Sequence, residues 1–281
     1  MTINVYDAYV SRLNQIASIL PQTEMRLITP SDIQRLYNAF SDRGEGTRRK
    51  IAESTRAVFR AAKNDGIVAI SPCENVRRKK GAVGTHRNLD DWEIKLIRDT
   101  CDSERMGIYA MVMVYAGLRR GEALALDIDD DVDFEKGVIH VRKAIRRERS
   151  DYIVTAPKTK AGIRDVPLFP PLRDVLRGRH GSVIKSKDNK IISFSAVTDA
   201  WKRYQNHLTK IAGRTVAIRQ HDCRHTFATM LYDADVDIKT AARWMGHEDE
   251  TMIMRIYAHL TEKKEENAIR RVESMLTSTS K

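Results

Sequence analysis

The side chains with the most chemical potential gather in short stretches of the second half of the chain. In His221-Asp-Cys-Arg224 an imidazole and a guanidinium stand three positions apart. On a helix that spacing puts both on one face, able to meet a single ligand together. Arginine offers a planar fork of donors and histidine a donor that switches with protonation, a pairing suited to phosphate or another oxyanion. Taken alone, the pair reads better as a solvated helix face. In Tyr115-Ala-Gly-Leu-Arg119-Arg-Gly-Glu122, glycines flank two arginines where one apolar run ends and another begins. Such a junction exposes backbone N–H groups beside a cation and favours phosphate; the alternative is a buried Arg119–Glu122 ion pair that only shapes the turn. Pro157-Lys158-Thr-Lys160-Ala-Gly162 lies between two strand-like runs and reads as a β-turn with cations at its tip. A lysine there can reach a leaving oxygen and protonate it, given a suitable pKa, although most turn lysines are simply solvated. In Trp244-Met-Gly246-His247, Gly246 ends a helix and leaves His247 in a loop. Tyr257 follows ten residues later in a short amphipathic segment. A tyrosine so placed is ordinarily a core residue with a satisfied hydroxyl.

These stretches need a scaffold. Residues 1–76 read as helical: Val5, Tyr9, Leu13, Ile16 and Leu20 recur at helical spacing, and Thr29-Pro30-Ser31-Asp32 opens a second helix with Ile33, Leu36, Tyr37 and Phe40 on one face. A third helix, from about Thr47 to Asp65, buries Ile51, Val58, Phe59 and Ala62 and shows Arg48, Arg49, Arg56, Arg60 and Lys63, with Gly66 as its stop. That basic face is either solvated or follows phosphates. Residues 77–88, with Arg77, Arg78, Lys79 and Lys80 and without periodicity, read as an interdomain linker. Asp90 and Glu93 then form a capping box for a helix carrying Trp92, Leu96 and Ile97. Further helices are expected at Ile108–Ala116, Gly121–Leu126, Ser195–Ile211, His221–Asp233, Ile238–Met245, Thr251–Ala258 and, in a charged tail, from about Thr261 to Leu276. Strand signals occur at 138–141, 152–155 and 163–168. The fold class is therefore mainly α with one small antiparallel β-sheet (α+β), divided into a helical domain 1–76, a basic linker 77–88 and a domain 89–281 with a tail 261–281. The acidic run Asp127–Glu135 lacks the glycine and the final glutamate of a calcium loop and reads as a turn before a strand.

Composition narrows the partners. Lys and Arg number 49 against 38 acidic residues in 281, a net charge of +11, which favours a polyanion because each neutralised phosphate releases counterions. Hydrophobic residues at 42% are enough for a core, and aromatics at 6% imply aliphatic packing. Cys73, Cys101 and Cys223 are far apart with no C-x-x-C pair, which argues against a disulfide framework or structural zinc. No signal peptide opens the chain and no run is long enough to span a bilayer, so the expected location is the cytoplasm, without membrane contact.

Each signal is modest, but their order is specific. G-L-R-x-x-E at Gly117–Glu122, Lys158 before the strand Ile163-Arg-Asp-Val-Pro-Leu168, H-x-x-R at His221–Arg224, Gly246-His247 and Y-x-H at Tyr257–His259 together resemble the tyrosine recombinase (phage integrase) family. The match is dense over 89–260 and loose over 5–76, where that family carries a helical core-binding domain. The resemblance implies that Tyr257 is a nucleophile forming a 3′-phosphotyrosine. Arg119 and Arg224 then clamp the non-bridging oxygens, with Arg120 a rival for Arg119, and Lys158 protonates the 5′-oxygen. His221 acts in proton transfer or hydrogen bonding, His247 donates to a phosphate oxygen, and Glu122 orients Arg119 or a neighbour. It implies no cofactor, metal or ATP, in keeping with the lack of a G-x-x-x-x-G-K-[ST] loop. It further implies a two-domain clamp on double-stranded DNA and a homotetramer on paired sites. The linker cations and the Arg48, Arg49, Arg56 and Arg60 face would meet phosphates, and the tail, through Ala268, Val272 and Met275, would dock on a neighbouring protomer or on its own domain. Accessory DNA-bending or directionality proteins belong to the same picture. Ala116 stands where the family often has Thr, Trp244 where it usually has an aliphatic residue, and no separate arm-binding domain precedes the helical region. The alternatives are a type IB topoisomerase, disfavoured by the histidine that opens H-x-x-R, and a catalytically idle DNA-binding protein of the same fold.

Overall fold

The computed structural model describes residues 3–269 apart from 82–86, 103, 149–150, 158, 185–191, 255, 259, 262–264 and 266–268, and it divides into two units, 1–85 and 86–281. The first unit holds α1 (Ile3–Ile19), α2 (Pro30–Ala39) and α3 (Glu45–Asn64). The Thr29 hydroxyl accepts the Asp32 N–H at 3.3 Å while the Asp32 carboxylate accepts the Thr29 N–H at 2.8 Å, and Pro30 opens the helix with its φ already set. Ile16, Ile33, Leu36, Phe40, Ile51 and Phe59 form the core, as their periodicity predicts. Val58, expected in that core, is half-buried, and Val5 at the start of α1 is exposed.

The segment expected to be a basic interdomain linker, 77–88, begins as part of this unit. Arg78 is bidentate on Glu45 of α3, with Nη1 to Oε2 at 2.7 Å. Glu45 also accepts the Gly81 N–H at 2.7 Å, and Arg48 donates to the Lys79 carbonyl at 2.5 Å. Hydrogen bonds from Arg78 and Gly81 hold the Glu45 carboxyl down at about 2.

In the second unit, α4 (Asp91–Thr100) starts where Asp90 donates its N–H to Glu93 at 3.0 Å. Its neighbour α5 (Arg105–Tyr115) is the central helix: Tyr109 to Val114 are fully enclosed, because a helix apolar all round can only be stable inside. Around it pack α4, α6 (Arg120–Ala125), α8 (Pro170–Leu176), α9 (Phe194–Ala212) and α10 (Gln220–Asp233), and α11 (Ile238–Met245) follows; α7 is the short turn Ile128–Asp131. Residues 251–254 and 256–258 are helical, as expected. No helix of the described residues is long and apolar enough to cross a membrane.

The strands depart from expectation. Among the described residues there are two antiparallel sheets rather than one. The first has β1 (Val132–Asp133), β2 (Val138–Val141) and β5 (Arg164–Pro167) in the order β1-β2-β5, with Val138 opposite Pro167 and Val141 opposite Arg164. The second is a hairpin of β3 (Ala144–Glu148) and β4 (Asp151–Thr155). The strands β4 and β5 consequently lie in different sheets, with a 3₁₀ turn at Lys160–Gly162 before β5, so the two strand signals do not flank a hairpin turn. The physical reason is β3: Arg146, Arg147 and Glu148 are exposed, so this strand has no apolar alternation to betray it, and its backbone ladder does the pairing.

Candidate active site

The site is assembled around the C-terminal end of α11. Gly246 takes the left-handed conformation at φ +67, and the turn closes with His247 N–H to Ala242 O at 2.9 Å and Gly246 N–H to Arg243 O at 3.0 Å. That leaves the carbonyls of Trp244, Met245 and Gly246 without helical donors. Three arginines from three separate elements take them in order. Arg164 of β5 donates Nε to Trp244 O at 2.7 Å, Arg224 of α10 donates Nη2 to Met245 O at 2.5 Å, and Arg119, the residue before α6, donates Nη2 to Gly246 O. The negative end of one helix thereby gathers three cations that would otherwise repel one another.

Each arginine has a second anchor. Arg224 gives Nη1 to the carbonyl of Gly117, whose φ of +60 and lack of a side chain let the α5–α6 turn pass under Phe227; a Cβ there would lie 2.2 Å from the Phe227 ring. Arg119 and Arg164 share Glu122. Its carboxylate accepts the Arg119 N–H at 2.8 Å, Arg119 Nη1 at 2.9 Å and Arg164 Nη2 at 2.9 Å. The Arg119–Glu122 pair, the turn-shaping alternative, is thus real and is part of the cluster. Burial works against charge on Glu122, but the hydrogen bond and charge of Arg164, the charge of Arg224 and the Arg119 N–H hold its carboxyl down at about 2. Burial and the cations of Arg119 and Arg164 pull the Arg224 guanidinium down to about 9, which leaves it charged at neutral pH.

His247 completes the cluster, with Nε2 at 2.9 Å from Arg224 Nη2. A guanidinium only donates, so Nε2 is the acceptor and the ring proton sits on Nδ1. That Nδ1 is buried and has no hydrogen-bond partner among the described residues. Burial, followed by the charges of Arg224, Arg119 and Arg164, lowers the imidazole to about 4, so the ring is neutral. The arrangement offers an anion two guanidiniums and a neutral N–H donor. Three guanidiniums stand against the one carboxylate of the cluster, an excess of two positive charges.

The other candidates are placed differently. Tyr257 is buried, packed edge-on against Tyr232 with centroids 4.9 Å apart, and its hydroxyl donates to Val236 O at 3.1 Å. Burial and the nearby Asp237 push its phenol up to about 12. The proton thus goes to a carbonyl of the α10–α11 connection and not to the arginine cluster. His221 is exposed in the first turn of α10. Arg120, the rival of Arg119, points elsewhere: its Nη2 reaches Phe194 O at 2.9 Å and its guanidinium covers the Phe194 ring at 4.1 Å. Lys158 and His259 lie outside the described residues, as do Ala268, Val272 and Met275 of the tail. In the first unit Arg49, Arg56, Arg60, Arg77, Lys79 and Lys80 are exposed, whereas Arg48 and Arg78 are half-buried on the partners given above.

Sequence reasoning passed over Arg164. A signal existed: in β5, Arg164 and Val166 are buried and Asp165 between them is exposed, so the strand period of two places a lone arginine on the inward face.

The stretch of chain that carries these residues is also the one matched by a family model. The model of the phage integrase family matches residues 87–264. A tyrosine recombinase XerC-like protein of Caldanaerobacter subterraneus is 27% identical over 88% of this chain and 71% of its own length. Among solved structures, the Tn1549 transposon integrase in complex with a circular intermediate DNA superposes with a TM-score of 0.78 at 17% identity, over 96% of this chain and 94% of that one. A lambda integrase tetramer bound to a Holliday junction gives a TM-score of 0.65 at 20% identity, over 91% of this chain and 72% of that one. At such identities the structural likeness is one of fold.

Proposed function

The chain belongs to the phage integrase family of tyrosine recombinases, and we propose that it is a site-specific DNA recombinase that cuts and rejoins duplex DNA through a 3′-phosphotyrosine on Tyr257. One observation carries this reading: a partly buried cluster of Arg119, Arg164, Arg224 and neutral His247 with two positive charges in excess. A fixed surplus of charge beside an Nδ1–H that has no partner among the described residues suits a scissile phosphate. Arg119 and Arg224 grip its non-bridging oxygens, and the Nδ1–H of His247 donates to one of them. The guanidiniums stabilise the charge that builds on those oxygens, a task that divalent cations perform in other phosphoryl-transfer sites.

The Tyr257 oxygen forms a bond to phosphorus as the bond to the 5′-oxygen breaks. Lys158 protonates that leaving oxygen, and the phenolic proton leaves to water, with His221 hydrogen-bonding or relaying it. The product is a phosphodiester to tyrosine, so the reverse attack by a 5′-hydroxyl reseals the strand with no nucleotide triphosphate. Burial holds the phenol at about 12 on Val236. It must exchange that carbonyl for the phosphate, where neighbouring cations favour the phenolate. Double-stranded DNA is the partner, bound by the exposed cations of α3 and of residues 77–80. A tetramer on paired sites, with the tail 261–281 docked on a neighbour, would recombine the strands, aided by accessory proteins.

The test uses end-labelled nicked duplexes tiled across the DNA flanking the gene, resolved on a denaturing gel. The wild type should form a covalent adduct, and Tyr257→Phe should bind DNA but form none. An adduct with Tyr257→Phe removes the nucleophile assignment. Absence of any adduct with the wild type leaves a DNA-binding protein. Relaxation of supercoiled plasmids irrespective of sequence would favour the topoisomerase reading.

A further inference from the structure

We propose that Arg164 is a positioning residue of this site, which sets the spacing of Arg119 and Arg224 without touching DNA. The inference rests on the recombinase reading above. Arg164 is nearly inaccessible, with 2% of its side chain exposed, and its hydrogen bonds run to three separate protein segments. Nη2 meets Glu122 on α6, Nε meets Trp244 O at the end of α11, and Nη1 meets Gly162 O, at 3.1 Å, on the crossing between the two sheets. A buried charge is costly, and an apolar side chain of similar volume is often as stable. What an apolar side chain cannot do is hold a carboxylate and two carbonyls in a fixed triangle.

That triangle acts on both phosphate-gripping arginines. Glu122 Oε2 is shared between Arg164 Nη2 and the Arg119 N–H, and Oε1 receives Arg119 Nη1. Trp244 is followed by Met245 and Gly246, whose carbonyls hold Arg224 and Arg119. The backbone of Gly246 lies directly on the Arg164 guanidinium: a Cβ there would be 2.7 Å from Nη1 and 2.9 Å from Cζ. Arg164 is therefore the floor on which the end of α11 rests, and His247 is the next residue. If that floor shifts, both arginines and the imidazole move together.

The test is Arg164→Lys, which keeps the charge beside Glu122 but loses the planar fork. A companion, Arg164→Met, removes both the charge and the fork while Glu122 keeps its bonds to Arg119. On a duplex cleaved in the tiling experiment, DNA binding by gel shift should stay within about twofold, while adduct formation falls by about 100-fold, the scale of an ångström-sized misplacement. The same duplex is then made with a methylphosphonate at the scissile position, which removes the charge of one non-bridging oxygen and so relaxes the demand on paired cations. If Arg164 acts through the clamp, the ratio of wild-type to variant rates should shrink at least tenfold on this substrate. A wild-type rate in Arg164→Lys, an equal deficit on both substrates, or a parallel loss of DNA binding would each overturn the inference. Failure of the wild type to form any adduct would instead overturn the recombinase reading, and this inference with it.

Discussion

Arg224 and His247 show how single residues keep their protonation states in a nearly dry place. Arg224 is 3% exposed, yet the carbonyls of Gly117 and Met245 replace the water it lost, and it stays charged. His247 has no such compensation and stays neutral. This has a consequence for stability. In the unfolded chain the imidazole takes up a proton near its ordinary 6.5, whereas in the folded protein it resists until about 4. Between these values the unfolded state binds the extra proton, so stability falls as pH is lowered from 6.5 towards 4. Glu122 continues the loss below 4.5, because its folded carboxyl stays ionised down to about 2. The urea midpoint should therefore drop steadily over the first window, and His247→Gln should flatten that part of the curve. A wild-type profile that is flat there would show the imidazole titrating normally. Arg119, Arg224 and His247 each stood out in the sequence only weakly, and it was the order of their motifs, resembling that of the tyrosine recombinases, that grouped them. The parking of Tyr257 on Val236 was not, since a hydroxyl chooses its acceptor only when the turn between α10 and α11 is built.

At the level of elements, the end of α11 is the organiser. Its left-handed glycine closes the helix and presents three carbonyls in sequence to three arginines. Gly246→Ala should be destabilising twice over. The φ of +67 costs an L-residue about 1 kcal/mol, and the new Cβ would press on Arg164 at 2.7 Å. An overall loss of about 2–3 kcal/mol is expected, readable as a lower urea midpoint. An unchanged midpoint would mean that the α11 end can shift freely away from Arg164. Helix positions were largely readable beforehand, since Thr29, Asp90 and the apolar stripes mark them locally. The sheets were less so. β3 carries charges where a strand signal should be apolar, and its existence depends on a partner further along the chain, Asp151 to Thr155.

Across the whole molecule, the net charge of +11 is the feature that most directly concerns a polyanion. Its distribution within the first unit distinguishes side chains that the sequence presents as equals. Arg56, Arg60, Arg77, Lys79 and Lys80 are exposed, while Arg78 is tied to Glu45. With a random-sequence duplex, replacing Arg56 or Lys80 by Ala should reduce the salt slope of binding by about one for each phosphate that is no longer neutralised. Arg78→Ala should leave the slope alone and loosen residues 77–81 from α3, seen as faster proteolysis there. A reduced slope for Arg78→Ala would mean that DNA displaces Glu45.

Family, fold class and the order of the reactive residues follow from the sequence itself, because motif spacing, caps and apolar period are local properties of a chain. Which cations stand together, which is buried beneath the others, and whose hydroxyl is held elsewhere were decided only in three dimensions. Arg164 and Trp244 are far apart along the chain, and they meet only because the first sheet brings β5 against the end of α11. The strand period of two marks this arginine as inward-facing, but the carbonyls that give it a role are supplied by the tertiary fold.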